Sequence, residues 1–243
     1  MIEIIGQFNT AKCFASTLED GAREQIKAVC DTEAFSSSKI RIMPDVHAGK
    51  GCTIGTTMTI TDKIVPSMVG VDIGCGMYTV YLGNIDIDFE KVDEAAHFIP
   101  CGRNVWEGRQ ERFDLTQLRC YRYLKDSKRL ERSLGTLGGG NHFIEVNRAQ
   151  DGKHYLVIHS GSRNLGVTVC DYYQNIAEKE CGIDQKERQA LIDRLKAEGR
   201  QREISAEMKK LHPKVKDMRL AYLEGKSFRD YLHDMAIAQL YAW

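Results

Sequence analysis

Leu137-Gly-Gly-Gly-Asn-His142-Phe-Ile-Glu-Val146 is followed, past a turn at Asp151-Gly152, by Tyr155-Leu-Val-Ile158-His159-Ser-Gly-Ser-Arg163. The runs Phe143 to Val146 and Tyr155 to Ile158 are β-favouring and bounded by Gly, Asn and Asp, so they read as the two strands of a hairpin. If that hairpin is centred between residues 150 and 152, position 142 falls opposite 159, 160 or 161, and His142 and His159 share its open end. Paired positions there have Cβ atoms about 5 Å apart, near enough for two imidazoles to serve one metal or two adjacent ones. The other reading is two unrelated histidines at strand ends.

Working outward, Ile40 to Met43, Cys52 to Thr61 and Met77 to Leu82 are further strand-like runs. Ser16 and Glu19 have capping-box spacing ahead of Ala22, Ile26 and Val29, and Asp88 opens a periodic segment stopped by Pro100. From about Tyr172 the chain turns charged and helix-forming, with breaks near Gly182, Gly199, His212-Pro213 and Gly225. The last helix is predicted to begin at Ser227 and to put Phe228, Tyr231, Leu232, Met235 and Ala238 on one face. The expected fold is mixed α/β (α+β), with a strand-rich core around a metal site over residues 1–171 and a helical segment of the same domain over residues 172–243. The last helix runs into Trp243 without a stop signal, the pattern expected of a chain cut inside an element.

With 42% hydrophobic and 28% charged residues over 243 positions, the composition excludes disordered, collagen-like and coiled-coil classes. Thirty-four basic residues balance thirty-four acidic ones, so nucleic-acid binding has to rest on local patches rather than net charge. The start lacks a basic n-region and a cleavage site, and Ile64 to Gly83, with Pro66 and Asp72 inside it, makes a poor membrane span. A cytoplasmic protein with no membrane partner is the expectation. None of the eight cysteines forms a C-x-x-C pair, which excludes zinc-ribbon and thioredoxin motifs.

Gly70-Val-Asp72-Ile-Gly74-Cys75-Gly76 places a carboxylate and a thiol three residues apart among glycines that let ions approach the backbone. Both ionised at about 4 Å, they would repel by roughly 4 kcal/mol at an effective dielectric of 20, so without a cation one of them stays protonated. A turn with a satisfied aspartate and a buried thiol is the competing reading. Joined to the hairpin, the candidate metal set is Asp72, Cys75, His142 and His159, in which a thiolate can bridge two cations suited to phosphoryl or nucleotidyl transfer. Cysteine and histidine suit zinc at least as well as manganese.

No standard phosphate loop or dinucleotide fingerprint occurs. Gly138-Gly-Gly-Asn141 and Ser160-Gly-Ser162-Arg163 are non-standard candidates, with Arg163 able to fork onto a phosphate. Asp45 and His47 of Pro44-Asp-Val-His47, with Lys50 just beyond, form either a further polar edge of the site or a solvated loop. Between Arg103 and Arg132, nine Lys or Arg stand against five Asp or Glu, interleaved with Trp106, Phe113, Tyr121 and Tyr123. That stretch reads as an RNA contact or as a solvated helical face.

Pro44-Asp-Val-His-Ala-Gly-Lys-Gly51, Val69-Gly-Val-Asp-Ile-Gly-Cys-Gly-Met77, Leu137-Gly-Gly-Gly-Asn-His-Phe-Ile-Glu145 and His159-Ser-Gly-Ser-Arg163 together resemble the RtcB family of RNA-splicing ligases. The resemblance runs from near the start to Asp234-Met-Ala-Ile-Ala-Gln-Leu-Tyr-Ala242, a stretch that lies roughly mid-chain in the family. It implies ligation of RNA with a 3′-phosphate or 2′,3′-cyclic phosphate to RNA with a 5′-hydroxyl, in RNA repair or tRNA splicing, using GTP and two manganese ions. An activating accessory protein is a further implied partner. In the family a histidine is guanylylated, GMP passes to the RNA 3′-phosphate, and the 5′-hydroxyl attacks that end as GMP leaves.

Carried onto this sequence, Asp72, Cys75 and His142 match ligands of one manganese, and Cys75 and His159 match ligands of the other. Asn141, His142, Phe143, Ile144 and Glu145 match part of the GTP pocket, while Asp45, His47, Lys50, Ser162 and Arg163 are candidate RNA or phosphate contacts. The guanylylated histidine matches no residue here; the resemblance puts it beyond residue 243, so no catalytic nucleophile is nominated. Three hypotheses follow: a ligase part that needs further sequence for activity, a non-catalytic metal- and RNA-binding short product, and a two-metal phosphoesterase using a metal-bound water.

Overall fold

Alternating residues of the hairpin send His142 and His159 to one end of a small sheet, and the rest of the architecture decides what surrounds them. The structure, a computed structural model, describes residues 1–183, 185–208 and 210–243; Asp184 and Lys209, inside the stretch expected to be helical, lie outside it. In chain order the elements are β1 (Ile2–Ile5), β2 (Thr10–Cys13), α1 (Asp20–Cys30), β3 (Ile40–His47), β4 (Ile54–Met58), β5 (Lys63–Ile64), α2 (Pro66–Val69), β6 (Gly76–Gly83) and α3 (Phe89–His97). There follow α4 (Ser127–Ser133), β7 (Phe143–Arg148), β8 (His154–Ser160), α5 (Asn164–Cys181), α6 (Gln185–Ala197), α7 (Ile204–Met208), β9 (Leu223–Glu224) and α8 (Gly225–Ala242). The fold is mixed α/β, as expected. No helix among the described residues is long and apolar enough to cross a membrane.

The chain forms two compact units, residues 1–69 with 173–229 and residues 70–172 with 230–243, so each draws on both the strand-rich and the helical stretch. In the first unit, β1 and β2 pair antiparallel, β2 and β3 parallel, and β3 and β4 antiparallel. Helix α1 buries Ala22, Ile26, Val29 and Cys30, a four-residue repeat that yields one apolar stripe. Its N-cap is Glu19, whose side chain makes no capping bond, so the expected capping box from Ser16 does not form. Strands β1 and β2 escape a pattern search because each is only four residues long.

In the second unit, β6, β8 and β7 form an antiparallel sheet. Phe143 pairs with His159 and Arg148 with His154, which centres the hairpin where its turn residues predict. Registration puts Tyr78, Ile158 and Ile144 side by side, and Val80, Leu156 and Val146 two residues along on the same face. None of these six apolar residues is buried, and Tyr78 is 56% exposed. Asp88 accepts from the Lys91 amide and caps α3, as its position predicts. Helix α8 begins at Gly225, two residues before the expected Ser227, whose hydroxyl instead reaches Glu224 and Glu180. Its buried side is Tyr231, Asp234, Ile237, Ala238 and Tyr241, while Leu232 is exposed, so the expected face is rotated. The reason is Asp234: its wholly buried carboxylate accepts from the backbone amides of Arg119 (2.8 Å) and Cys120 (3.0 Å), a polar anchor that an apolar pattern cannot reveal.

Candidate metal centre

The centre lies in the second unit and is assembled from three places in the sequence. Asp72 and Cys75 come from the turn ahead of β6, His142 from the end of the glycine-rich turn ahead of β7, and His159 from the end of β8. Ligand atoms of Cys75, His142 and His159 all lie within 4.8 Å of one another. His142 Nε2 is 3.0 Å from an Asp72 carboxylate oxygen, and His159 Nε2 is 3.1 Å from Cys75 Sγ. The two imidazole centroids are 5.4 Å apart. All four side chains read from the sequence as metal ligands therefore meet at one place.

The backbone fixes which nitrogen faces the centre. His142 Nδ1 is 3.0 Å from the Leu137 carbonyl, which can only accept, so Nδ1 carries the proton and donates it. Nε2 then faces the Asp72 carboxylate, an arrangement that either a second ring proton or a bound cation satisfies. Leu137 O also accepts from Ser160 Oγ at 2.9 Å, joining the glycine-rich turn to the end of β8. His159 Nδ1 is buried without a hydrogen-bond partner among the described residues, leaving Nε2, beside the sulfur, as the working face of that ring.

Burial pushes the Cys75 thiol above its ordinary range, and the negative charge of Asp72 and a hydrogen bond with it add to the effect. Without a cation the thiol keeps its proton. A divalent ion reverses that balance, because it interacts favourably with both the thiolate and the carboxylate. One sulfur, two imidazole nitrogens and a carboxylate form a donor set that fits zinc, manganese or iron.

Two glycines make the packing possible. A Cβ on Gly161 would stand 2.5 Å from one Asp72 carboxylate oxygen and 2.7 Å from its carbon. A Cβ on Gly138 would run into the Arg163 guanidinium and the His142 imidazole, and its φ of +94° is in any case one that glycine tolerates best. Arg163 is the one non-glycine with positive φ (57°) among the described residues, a local strain of the kind found at working sites. Its Nε donates to Thr136 Oγ1 (3.2 Å) and an Nη to the Gly102 carbonyl (2.7 Å). Burial lowers its pKa from the ordinary guanidinium value, and nearby Arg129 adds to this against the pull of Tyr241 and Asp72.

The remaining candidates are placed as follows. Asn141 is exposed and lines a cleft of about 560 Å³ together with Asp72, His142 and Arg163. Phe143 packs edge-on against His159 with centroids 5.2 Å apart, and Glu145 is exposed on that same sheet face, accepting from Asn147. Ile144 faces the other way, as strand alternation requires, so the run Asn141 to Glu145 does not present one surface to a nucleotide. Ser162 is fully buried, its hydroxyl against Gly166 and without a partner among the described residues, and is not presented to solvent. Asp45, His47 and Lys50 belong to the first unit and are exposed; His47 Nδ1 is 2.8 Å from the Asp45 carbonyl, across a bulge in β3. Arg103 and Arg129 also line the cleft. In the sequence they are two members of a mixed-charge stretch, and nothing in their spacing singles them out.

The family model described as tRNA-splicing ligase RtcB matches residues 25–118 and 110–243. The chain belongs to the RtcB family. RtcB relatives include the RNA-splicing ligase RtcB1 of Escherichia coli (strain ATCC 25922), 34% identical over 189 residues that cover 67% of this chain and 45% of the relative. The RNA-splicing ligase RtcB of Escherichia coli (strain K12) gives the same identity and coverage. The tRNA-splicing ligase RtcB of Archaeoglobus fulgidus is 25% identical over 295 residues, covering 97% of this chain and 55% of the relative. This RtcB chain thus spans about half the length of the curated relatives it matches.

Proposed function

We propose that this chain provides the metal-holding part of an RNA ligase that joins 3′-phosphate or 2′,3′-cyclic phosphate RNA ends to 5′-hydroxyl ends using GTP and manganese. One observation carries the reading: His142 Nε2 faces the Asp72 carboxylate at 3.0 Å and His159 Nε2 faces Cys75 Sγ at 3.1 Å, two close contacts whose charges and lone pairs a divalent cation satisfies. Asp72, Cys75 and His142 would hold one ion, and Cys75 and His159 would serve a second. Manganese there supplies Lewis-acid polarisation of phosphate oxygens. The chain's own part is orientation: the Leu137 carbonyl holds the His142 ring, Gly161 gives the Asp72 carboxylate its place, and Arg163 brings a fixed positive charge to the same cleft. Phe143 and Glu145, on the sheet face that carries His159, would meet a purine, the carboxylate accepting from its ring edge.

No histidine in this sequence matches the one guanylylated in the family, so the covalent step is assigned to none. Incubated with manganese and labelled GTP, the chain is expected to bind the metal, losing that binding in Cys75→Ser, and to stay unlabelled. Failure to bind manganese would remove the ligase reading, and label on a histidine of this chain would overturn the absence of a nucleophile. Retention of metal and RNA without turnover in the presence of the relatives' remaining sequence would favour the non-catalytic alternative.

A further inference from the structure

Asp72 and Cys75 sit on one short turn, so the place of that turn decides how their donor atoms stand towards the two imidazoles. The Cys75 amide closes the turn by donating to the Asp72 carbonyl at 3.0 Å, and Ile73 between them is buried. Two helices of the second unit press on it. From α5, a Cβ on Gly166 would stand 2.7 Å from the Ile73 amide nitrogen and 2.8 Å from the Val71 carbonyl oxygen. From α8, Ala242 Cβ would be 2.8 Å and Gln239 Cα 3.1 Å from a Cβ on Gly74. These neighbours are main chain and one methyl group, which have no rotamer through which to absorb a shift.

The α8 side of this clamp is itself anchored. The Asp234 carboxylate accepts from the amides of Arg119 and Cys120. Two helical turns on, the Tyr241 hydroxyl donates to the Leu130 carbonyl at 2.5 Å, and its ring stands edge-on to Phe113. At about 100° per residue, Asp234 and Tyr241 share one face of the helix, while Gln239 and Ala242 lie roughly a third of a turn round from it. One face is thus fixed to residues 113–130, and another abuts the turn that carries Asp72 and Cys75.

We propose that Ala242 is a positioning residue for the metal centre and Tyr241 its anchor: α8 acts as a strut that sets the place of Asp72 and Cys75, a role that rests on the ligase reading of those two side chains as metal ligands. A turn held in place presents both donors already gathered, whereas one that drifts by about 1 Å has to be re-formed as an ion binds. Because the anchors of the strut lie in residues 113–130, ordering that stretch and filling the metal centre favour each other.

The full chain carries the test. Manganese affinity is read by paramagnetic resonance, and the cobalt-loaded protein by its sulfur-to-cobalt and ligand-field absorption bands, which report the arrangement of donors and do not move with stability alone. Ala242→Leu replaces a methyl by an isobutyl group against Gly74 and is expected to weaken manganese binding about tenfold or more and to shift the cobalt bands. Ala242→Gly withdraws the contact without adding bulk, and Tyr241→Phe removes the hydrogen bond to Leu130 but keeps the ring. Each is expected to cost about threefold in affinity, with a smaller shift of the same bands. Leu240→Ser, an exposed position on the same turn of helix, is the control and should stay within about twofold of the parent. If Ala242→Leu does not fold, the other two variants decide. A parent that binds manganese, with every folded variant at Ala242 and Tyr241 matching its affinity and its cobalt bands, overturns the strut and leaves the ligase reading standing. Lowered melting temperatures with parental cobalt bands would show a purely structural helix and overturn it as well. A parent that binds neither ion removes the ligase reading and the strut with it.

Discussion

Replacing Gly161 by alanine tests the metal centre through a residue that is not itself a ligand. The backbone at Gly161 lies outside the left-handed region, so alanine meets no conformational objection there. Its nearest conflict is with Asp72, whose carboxylate carbon would lie 2.7 Å from the new methyl. Ordinary van der Waals separation is about 3.5 to 4 Å, so the carboxylate has to retreat by roughly 1 Å. That displacement takes its oxygen out of the 3.0 Å contact with His142 Nε2. Misplacing one ligand or its support by this much typically costs about tenfold to a hundredfold in metal affinity, or roughly 1.4 to 2.7 kcal/mol. The cost to the fold should be smaller, about 1 kcal/mol, because the Asp72 side chain is partly exposed and can rotate into water. Manganese titration followed by paramagnetic resonance, beside thermal melts of the metal-free protein, separates the two effects. Gly108→Ala, where an added Cβ meets nothing within 4 Å, is the control. Should Gly161→Ala bind manganese like the parent while its melting temperature is unchanged, Asp72 is not a ligand.

Metal affinity is expected to rise with pH. The Cys75 thiol is held above its ordinary range by burial and by Asp72, so it is protonated at neutral pH and must lose that proton when an ion binds. Below the raised value each pH unit therefore gains about a factor of ten, and Cys75→Ala should flatten the slope when zinc or manganese titrations are run from pH 6.5 to 8.5. A slope unchanged by Cys75→Ala would mean that the sulfur is not a ligand. The second expectation concerns the exposed sheet face. Tyr78, Val80, Ile144, Val146, Leu156 and Ile158 form a contiguous apolar surface without a buried member, so the chain should self-associate with concentration. Val80→Lys should shift sedimentation towards the monomer, and a parent that stays monomeric at high concentration would refute this.

How much of this was legible in the sequence depends on whether a pattern is local. The hairpin was, because Phe143 to Val146 and Tyr155 to Ile158 alternate around a recognisable turn, and with it came the meeting of His142 and His159. Asp72 and Cys75 were legible as a pair, because glycines on both sides announce a backbone that other groups approach closely. Helix faces were read less well. In α8 the fully buried Asp234 occupies a place where periodicity looks for an apolar residue, because its partners, the amides of Arg119 and Cys120, are more than a hundred residues away. Arg103 and Arg129 were hidden for a similar reason: in sequence they resemble Arg109, and only the fold gives Arg109 a counterion and, among the described residues, none to them. The outward turn of Ile144 follows from alternation alone and could have been deduced before the strand was seen.

The Leu137 carbonyl has a consequence beyond holding one ring. Both of its lone pairs are taken, one by His142 Nδ1 and one by Ser160 Oγ, so a single oxygen acts as a hinge pin shared by two distant stretches of chain. Lengthening the loop between Leu137 and His142 by even one residue would drag Ser160 along with the imidazole, and the neighbouring His159 with it. The two stretches are thus fixed in length as well as at Gly138 and Gly161, and a graft of this centre onto another scaffold would have to carry both together.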